Sequence, residues 1–223
     1  MNDAIAAAVL FDLDGTLVDS LGDLAAAVRR VGATLGRAPV PLETVRPAVS
    51  RGGRGMLTAA FPDLPEADRE KLLEPFLAFY AEAIAVHSTP FDGIADVLER
   101  IETSQARWGV VTNKAEALAR KLLDGLGLSS RCAVLIGGDT LAARKPDPLQ
   151  LQVACDRLGI ACADAIYIGD DQRDIAAARA AGMRGLAAAW GYRDGADDID
   201  AWGADVVLVH PRDLLAPGAL RAR

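Results

Sequence analysis

The chain has 223 residues, of which 51% are hydrophobic and 25% charged, and its net charge is −7. That length carries one large domain, or one domain with a smaller insertion; the acidic balance, with no basic cluster, speaks against a nucleic-acid partner. No apolar run reaches the about 18 residues of a membrane span, no signal peptide precedes the first apolar run, and Cys132, Cys155 and Cys162 are too widely spaced for a disulfide framework or a zinc site. These features lead us to expect a cytoplasmic monomer or homodimer with inert thiols and no membrane partner.

The first apolar run, Ala4–Phe11, reads as a strand buried on both faces. It ends in Asp12-Leu13-Asp14-Gly15-Thr16. Two carboxylates at a strand end are costly unless a cation or a reaction uses them. No strong strand follows until about Pro90, although an ordinary strand-to-helix loop has only about 2–6 residues. The intervening chain is helical in pattern. Leu21, Leu24, Val28, Val31 and Leu35 make one stripe; Leu72, Leu73, Phe76, Phe79 and Tyr80 make part of another, with Pro75 marking a break nearby. Residues 18–85 therefore read as an inserted helical cap.

Beyond it, strands and helices alternate. Ile94, Val97, Leu98 and Ile101 fall on one helical face, as do Leu118, Leu122 and Leu126 ahead of Gly127. Ile175 opens an alanine-rich helix stopped by Gly182. Strands are predicted at Trp108–Thr112, Ala133–Ile136, Ala165–Ile168, Gly185–Ala189 and Asp205–Val209. The alternation predicts an α/β fold with a doubly wound parallel sheet, its core built from residues 1–17 and 86–223.

Four segments place polar groups at strand ends: Asp12 to Thr16, Thr112-Asn113-Lys114, Lys145-Pro146-Asp147-Pro148, and Gly169-Asp170-Asp171 through Asp174. In a parallel sheet with right-handed crossovers all strand C-termini share one edge, so the four converge. Several carboxylates with a lysine and no histidine suit a hard cation, Mg²⁺ above all. Such a cation lets an anionic phosphate approach acidic groups, with Thr112 and Asn113 as hydrogen-bond donors and Lys145 as a compact positive charge.

In this order, and with an insertion after the first, the four segments resemble the motifs of the haloacid dehalogenase superfamily of phosphatases. The resemblance spans nearly the whole chain and implies a Rossmann-like core with a cap. It implies Asp12 as the nucleophile that forms an aspartyl-phosphate, and Asp14 as the general acid and base. Thr112 and Asn113 take the place of the phosphate-binding motif, and Lys145 that of the charge-neutralising lysine. Asp170 matches the metal-binding aspartate, joined by Asp12 and the Asp14 backbone carbonyl, with Asp174 as a further metal-site acid. Asp171 stands where many relatives carry Ser or Thr, and is read as a supporting residue.

Ser50-Arg-Gly-Gly-Arg-Gly-Met56, Trp108 to Lys114 and Trp202 to Pro211 narrow the resemblance to phosphoglycolate phosphatase-like members, and within them to N-acetylmuramic acid 6-phosphate phosphatases. Both substrates set a carboxylate beside a phosphate ester, so Arg51 and Arg54 in the glycine-rich cap loop are candidates to hold that carboxylate. A small phosphate ester is the expected partner. His87 and His210 are read as packing or surface residues. A cap inserted above a sheet edge predicts closure over substrate, hinged at Leu17–Ser20 and His87–Pro90. Rival readings are a 2-haloacid dehalogenase, a sugar-phosphate mutase or a non-catalytic binding protein. The Asp14 carboxylate argues against the first, because the family's dehalogenases lack it.

Overall fold

The structure, a computed structural model, describes residues 5–193 and 197–222. In chain order the elements are β1 (Ala8–Phe11), β2 (Val18–Asp19), α1 (Leu21–Thr34), α2 (Leu42–Val45), α3 (Gly52–Ala60), α4 (Glu66–Lys71), α5 (Leu73–Glu82), β3 (Thr89–Pro90), α6 (Ile94–Thr103), β4 (Arg107–Val111), α7 (Glu116–Gly125), β5 (Leu135–Ile136), α8 (Leu149–Leu158), β6 (Ala165–Gly169), α9 (Gln172–Ala180), β7 (Arg184–Ala188) and β8 (Val206–Leu208).

Six strands form one sheet in the order β5-β4-β1-β6-β7-β8, every pair parallel. This is a doubly wound arrangement, in which chain connections leave β1 in opposite directions and open a crevice at the strand C-termini. Alternation along β1 explains why the sheet is covered on both sides. Val9 and Phe11 pack with Ile94, Val97, Leu98 and Ile101 of α6 and Leu122 of α7. Ala8 and Leu10 pack with Leu151, Ala154 and Leu158 of α8 and with Ala177 of α9. All four β1 side chains are fully buried, as a strand sandwiched between two helix layers must be.

The predicted strands are all present, some shorter than their apolar runs. The first begins at Ala8 rather than Ala4, which lies outside the described residues. Ahead of β1, the Ala6 N–H turns to the Leu220 carbonyl at the C-terminal end of the chain. α7 and α9 stop as expected, with Gly127 and Gly182 at φ of 69° and 72°. The three cysteines are free, and burial pushes the Cys132 thiol up to about 11. No helix among the described residues is long and apolar enough to cross a membrane.

Helices α1 to α5 lie between β2 and β3, and they enclose a second apolar cluster of Leu24, Val28, Val31, Met56, Phe76 and Tyr80. Leu35 does not join it: α1 ends at Thr34, and Leu35 is 40% exposed at its C-cap. Pro75 breaks nothing at its own position. It occupies the first turn of α5, where a missing N–H has no helical partner to lose, and the break falls at Leu72 between α4 and α5. Where the chain leaves and re-enters the core, β2 and β3 pair antiparallel, Val18 opposite Pro90 and Asp19 opposite Thr89.

Asp23 of α1 ties this crossing to the cap. It is 3% exposed and accepts from the backbone N–H groups of Val86, His87 and Ser88 and from the Ser88 hydroxyl. Removing that acceptor strands buried donors, each a substantial penalty. Asp23→Ala is expected to lower unfolding free energy by about 2–4 kcal/mol in a urea titration; a loss below about 0.5 kcal/mol would show that the crossing does not depend on it.

Candidate active site

The C-terminal ends of β1 and β6 bring Asp12, Asp170 and Asp174 together. One carboxylate oxygen from each lies within 4.8 Å of the others. Lys145 enters this group from the loop before α8. Its Nζ stands 2.7 Å from Asp174 Oδ1 and 3.0 Å from Asp12 Oδ1, and it donates to the Tyr167 hydroxyl at 2.7 Å and the Val111 carbonyl at 3.1 Å. Burial opposes the charge on Lys145, yet Asp12 and Asp174 hold its amine above the ordinary value.

The lysine is fixed from its backbone outward. Its N–H donates to Asn113 Oδ1 and to Gln150 Oε1, and its carbonyl accepts from Asn113 Nδ2 at 3.0 Å. The Asn113 amide is thus engaged in holding the Lys145 loop. Thr112 is buried, and its hydroxyl accepts from the Lys114 N–H at 3.2 Å. That leaves its hydrogen free to donate.

Asp170 is buried between two glycines. Its Oδ1 accepts from the Thr16 hydroxyl at 2.9 Å and its Oδ2 from the Tyr192 N–H at 2.8 Å. A Cβ on Gly15, which has φ of 88°, would come within 2.2 Å of Asp170 Oδ2, and one on Gly191 within 2.4 Å. Burial, then the charges of Asp12 and Asp174, hold the Asp170 carboxyl well above the usual range. For Asp174 burial outweighs the help from Lys145 and pushes its carboxyl up to about 6. Asp174 also closes the capping box of α9, accepting from the Asp171 N–H at 3.0 Å. Asp171 is the N-cap residue. Burial opposes its charge, but Arg173 holds its carboxyl below the usual range from 2.7 Å.

These residues fit a hard divalent cation. The donors are all carboxylate oxygens, and Asp12 Oδ1 is buried without a hydrogen-bond partner among the described residues, its contact with Lys145 being an ion pair at 3.0 Å.

The Asp14 carboxylate is held apart from this cluster. It accepts from the Ser20 hydroxyl and makes a two-point ion pair with Lys114, whose Nζ is 2.9 and 3.0 Å from its oxygens. Lys114 donates as well to the Tyr80 hydroxyl of the cap, at 2.7 Å. Burial opposes the Lys114 charge, but Asp14 and Tyr80 raise its amine above the ordinary value, while burial pushes Tyr80 up to about 12. Sequence reasoning assigned no role to Lys114, Tyr80, Tyr167, Gln150 or Tyr192. For Lys114 a signal existed in its place directly after Thr112-Asn113 at a strand end.

Of the two cap arginines, Arg51 lines a cavity of about 340 Å³ that also touches Asp170 and Tyr192. The structure does not bring Arg54 there. The Arg54 side chain is 69% exposed and forms a two-point ion pair with Glu70 across α3 and α4. His87 is exposed, and His210 caps a short turn at the surface.

Residues 9–188 match the haloacid dehalogenase-like hydrolase family. The chain belongs to that family. It is 51% identical over 212 residues to a phosphoglycolate phosphatase of Xanthomonas campestris pv. campestris, covering 95% of this chain and 96% of the relative. It is 44% identical over 211 residues to an N-acetylmuramic acid 6-phosphate phosphatase of Pseudomonas aeruginosa, covering 93% and 92%. The crystal structure of a predicted phosphoglycolate phosphatase from Haemophilus somnus superimposes with a TM-score of 0.84 at 25% identity, covering 96% of this chain and 98% of the other. The chain is an enzyme of the phosphatase type within this family.

The raised carboxyls set a pH dependence. A value of about 6 for folded Asp174 lies above the about 3.9 of an unfolded aspartate. The site's contribution to stability is therefore complete below pH about 4 and is lost as pH rises through about 6. Without metal, unfolding free energy should fall by at least about 1 kcal/mol between pH 5 and 7.5, and millimolar Mg²⁺ should remove most of that fall. Stability that is flat or rising over this range in EDTA would contradict the assignment.

Proposed function

We propose that this enzyme hydrolyses a carboxylate-bearing phosphate monoester, with Mg²⁺ as its cofactor and Asp12 as the nucleophile. The observation that carries the proposal is the cluster of Asp12, Asp170 and Asp174 around buried Lys145 at the sheet's switch point.

In this reading Asp12 attacks phosphorus, the ester oxygen leaves, and an aspartyl-phosphate forms. Asp14 gives the leaving oxygen its proton, then takes one from the water that cleaves the acyl phosphate. Lys145 offsets charge on Asp12 and on the incoming phosphate, and the Thr112 hydroxyl donates to a phosphate oxygen. Asp12, Asp170, Asp174 and the Asp14 carbonyl would hold the Mg²⁺, which when bound neutralises acidic partners that would otherwise repel the phosphate. Residues 18–85 act as the cap over this site, with the β2–β3 crossing as its hinge.

The substrate class follows from the relatives' names together with Arg51. Phosphoglycolate and N-acetylmuramic acid 6-phosphate each carry a carboxylate, and Arg51 stands on the cavity wall beside Asp170.

Phosphate release should depend on Mg²⁺, vanish in EDTA and return when Mg²⁺ is restored. Asp12→Asn should lower kcat by at least about 10³-fold while the protein stays folded. An Asp12→Asn variant with wild-type turnover, or full activity in EDTA, would refute this reading.

A further inference from the structure

The two side chains that hold the Asp14 carboxylate are both tied to the cap. Asp14 Oδ1 accepts from the Ser20 hydroxyl at 2.5 Å and from Lys114 Nζ at 2.9 Å, and Oδ2 accepts from Lys114 Nζ at 3.0 Å. Ser20 is buried where the chain leaves β2 for α1. Lys114 belongs to the core, and its backbone is fixed there. Its N–H donates to Thr112 Oγ1 at 3.2 Å, and its carbonyl accepts from the Gly138 N–H at 2.7 Å. Only its side chain reaches the cap, at the Tyr80 hydroxyl of α5, 2.7 Å away.

An ammonium has three hydrogens, and the two Asp14 oxygens and the Tyr80 oxygen take up all three. The Lys114 side chain is 8% exposed, so little water stands ready to replace a lost partner. Tyr80 is packed in the cap's apolar cluster with Leu24, Val28 and Phe76, so its oxygen goes where α5 goes. The result is a clamp with a rigid mount in the core, a flexible four-carbon stem, and one jaw on the cap. Withdrawing α5 removes an acceptor and admits water to a strongly hydrated ammonium, and the hold on Asp14 loosens with it. Saturation also separates this lysine from Lys145: in this arrangement Lys114 has no hydrogen left for a substrate anion.

We propose that Lys114 is a positioning residue that sets the Asp14 carboxylate for proton transfer, and that Tyr80 completes the setting while α5 lies against the sheet edge. Proton transfer by Asp14 is thereby coupled to the seating of the cap. This rests on the phosphatase reading above and adds to it two residues with no other place in the reaction.

The test uses the leaving group. An alkoxide needs a proton as it departs, whereas a nitrophenolate leaves without one, so a misplaced acid harms alkyl esters selectively. The probes are 2-phosphoglycolate and N-acetylmuramic acid 6-phosphate as alkyl esters and para-nitrophenyl phosphate as the aryl ester, compared in kcat/KM. Tyr80→Phe keeps the ring and its packing; it should lower kcat/KM on the better alkyl ester by about 5- to 10-fold, and Lys114→Met by about 100-fold. The aryl ester should lose far less in each case. Because Tyr80 acts through the lysine, adding Tyr80→Phe to Lys114→Met should cost nothing further. Equal losses on alkyl and aryl esters, additive losses in the double variant, or wild-type activity of Lys114→Met on the alkyl ester would overturn the proposal while leaving the phosphatase reading intact. No Mg²⁺-dependent phosphate release by wild type from any of the three would overturn both.

Discussion

Around the Lys145 ammonium, three carboxylates crowd into a space from which water is largely excluded, and the surrounding architecture follows from keeping them there. Lys145 and Asp174 side chains are each 2% exposed. One ammonium cannot balance three carboxylates, so burial drives Asp170 and Asp174 towards their protonated forms. The fold tolerates this because the groups sit at strand ends, where sheet topology opens a crevice, and because other polar atoms orient them. Thr16 and the Tyr192 N–H fix Asp170; Asn113 and Gln150 fix the Lys145 backbone. Gly15 and Gly191 leave room for Asp170 that no larger residue would. A divalent cation bound there would offset the excess negative charge that Lys145 leaves, and would so link binding to folding.

The cap meets the core over this site through an apolar contact and several polar ones. Tyr192, from the loop after β7, is buried in the cap's own apolar cluster, and Arg46 of the cap lies 5.2 Å above its ring while donating to the Gly191 carbonyl. Arg173 of α9 reaches the Ser50 carbonyl, and Lys114 reaches Tyr80. Polar contacts exchange for water at modest net cost, as the proposed opening of the cap would require. Tyr192 also touches the crossing itself, its hydroxyl accepting from the Leu21 N–H and donating to Asp19, so the loop that orients Asp170 is bonded to the β2–β3 crossing.

Much of this was legible in the sequence because strand ends and helix stops are local signals. Apolar runs that break into Asp12 and Asp170 announce the sheet edge, and parallel topology alone makes distant edges coincide. The helix face of Ile94, Val97, Leu98 and Ile101 proved fully buried, since a 3.6-residue period over ten residues has few alternative readings. What escaped depends on tertiary neighbours. Lys114 stands in the second polar segment without a role until Tyr80 and Asp14, 34 and 100 residues away in sequence, close upon it. Asn113 looks like a ligand donor until the Lys145 backbone takes up its amide. Arg54 shares the glycine-rich segment with Arg51, yet the turn of α3 delivers it to Glu70.

The central claim is that Asp12, Asp170 and Asp174 exist as a set to hold one divalent cation beside the nucleophile. The most direct measurement is a crystal structure of the protein grown with Mn²⁺, phased to show anomalous scattering. The account predicts a single strong peak among these three carboxylates, in contact with oxygens of Asp12 and Asp170 and lost in Asp170→Asn. A peak elsewhere, with Asp12, Lys145 and Asp174 undisturbed and no ion between them, would contradict it.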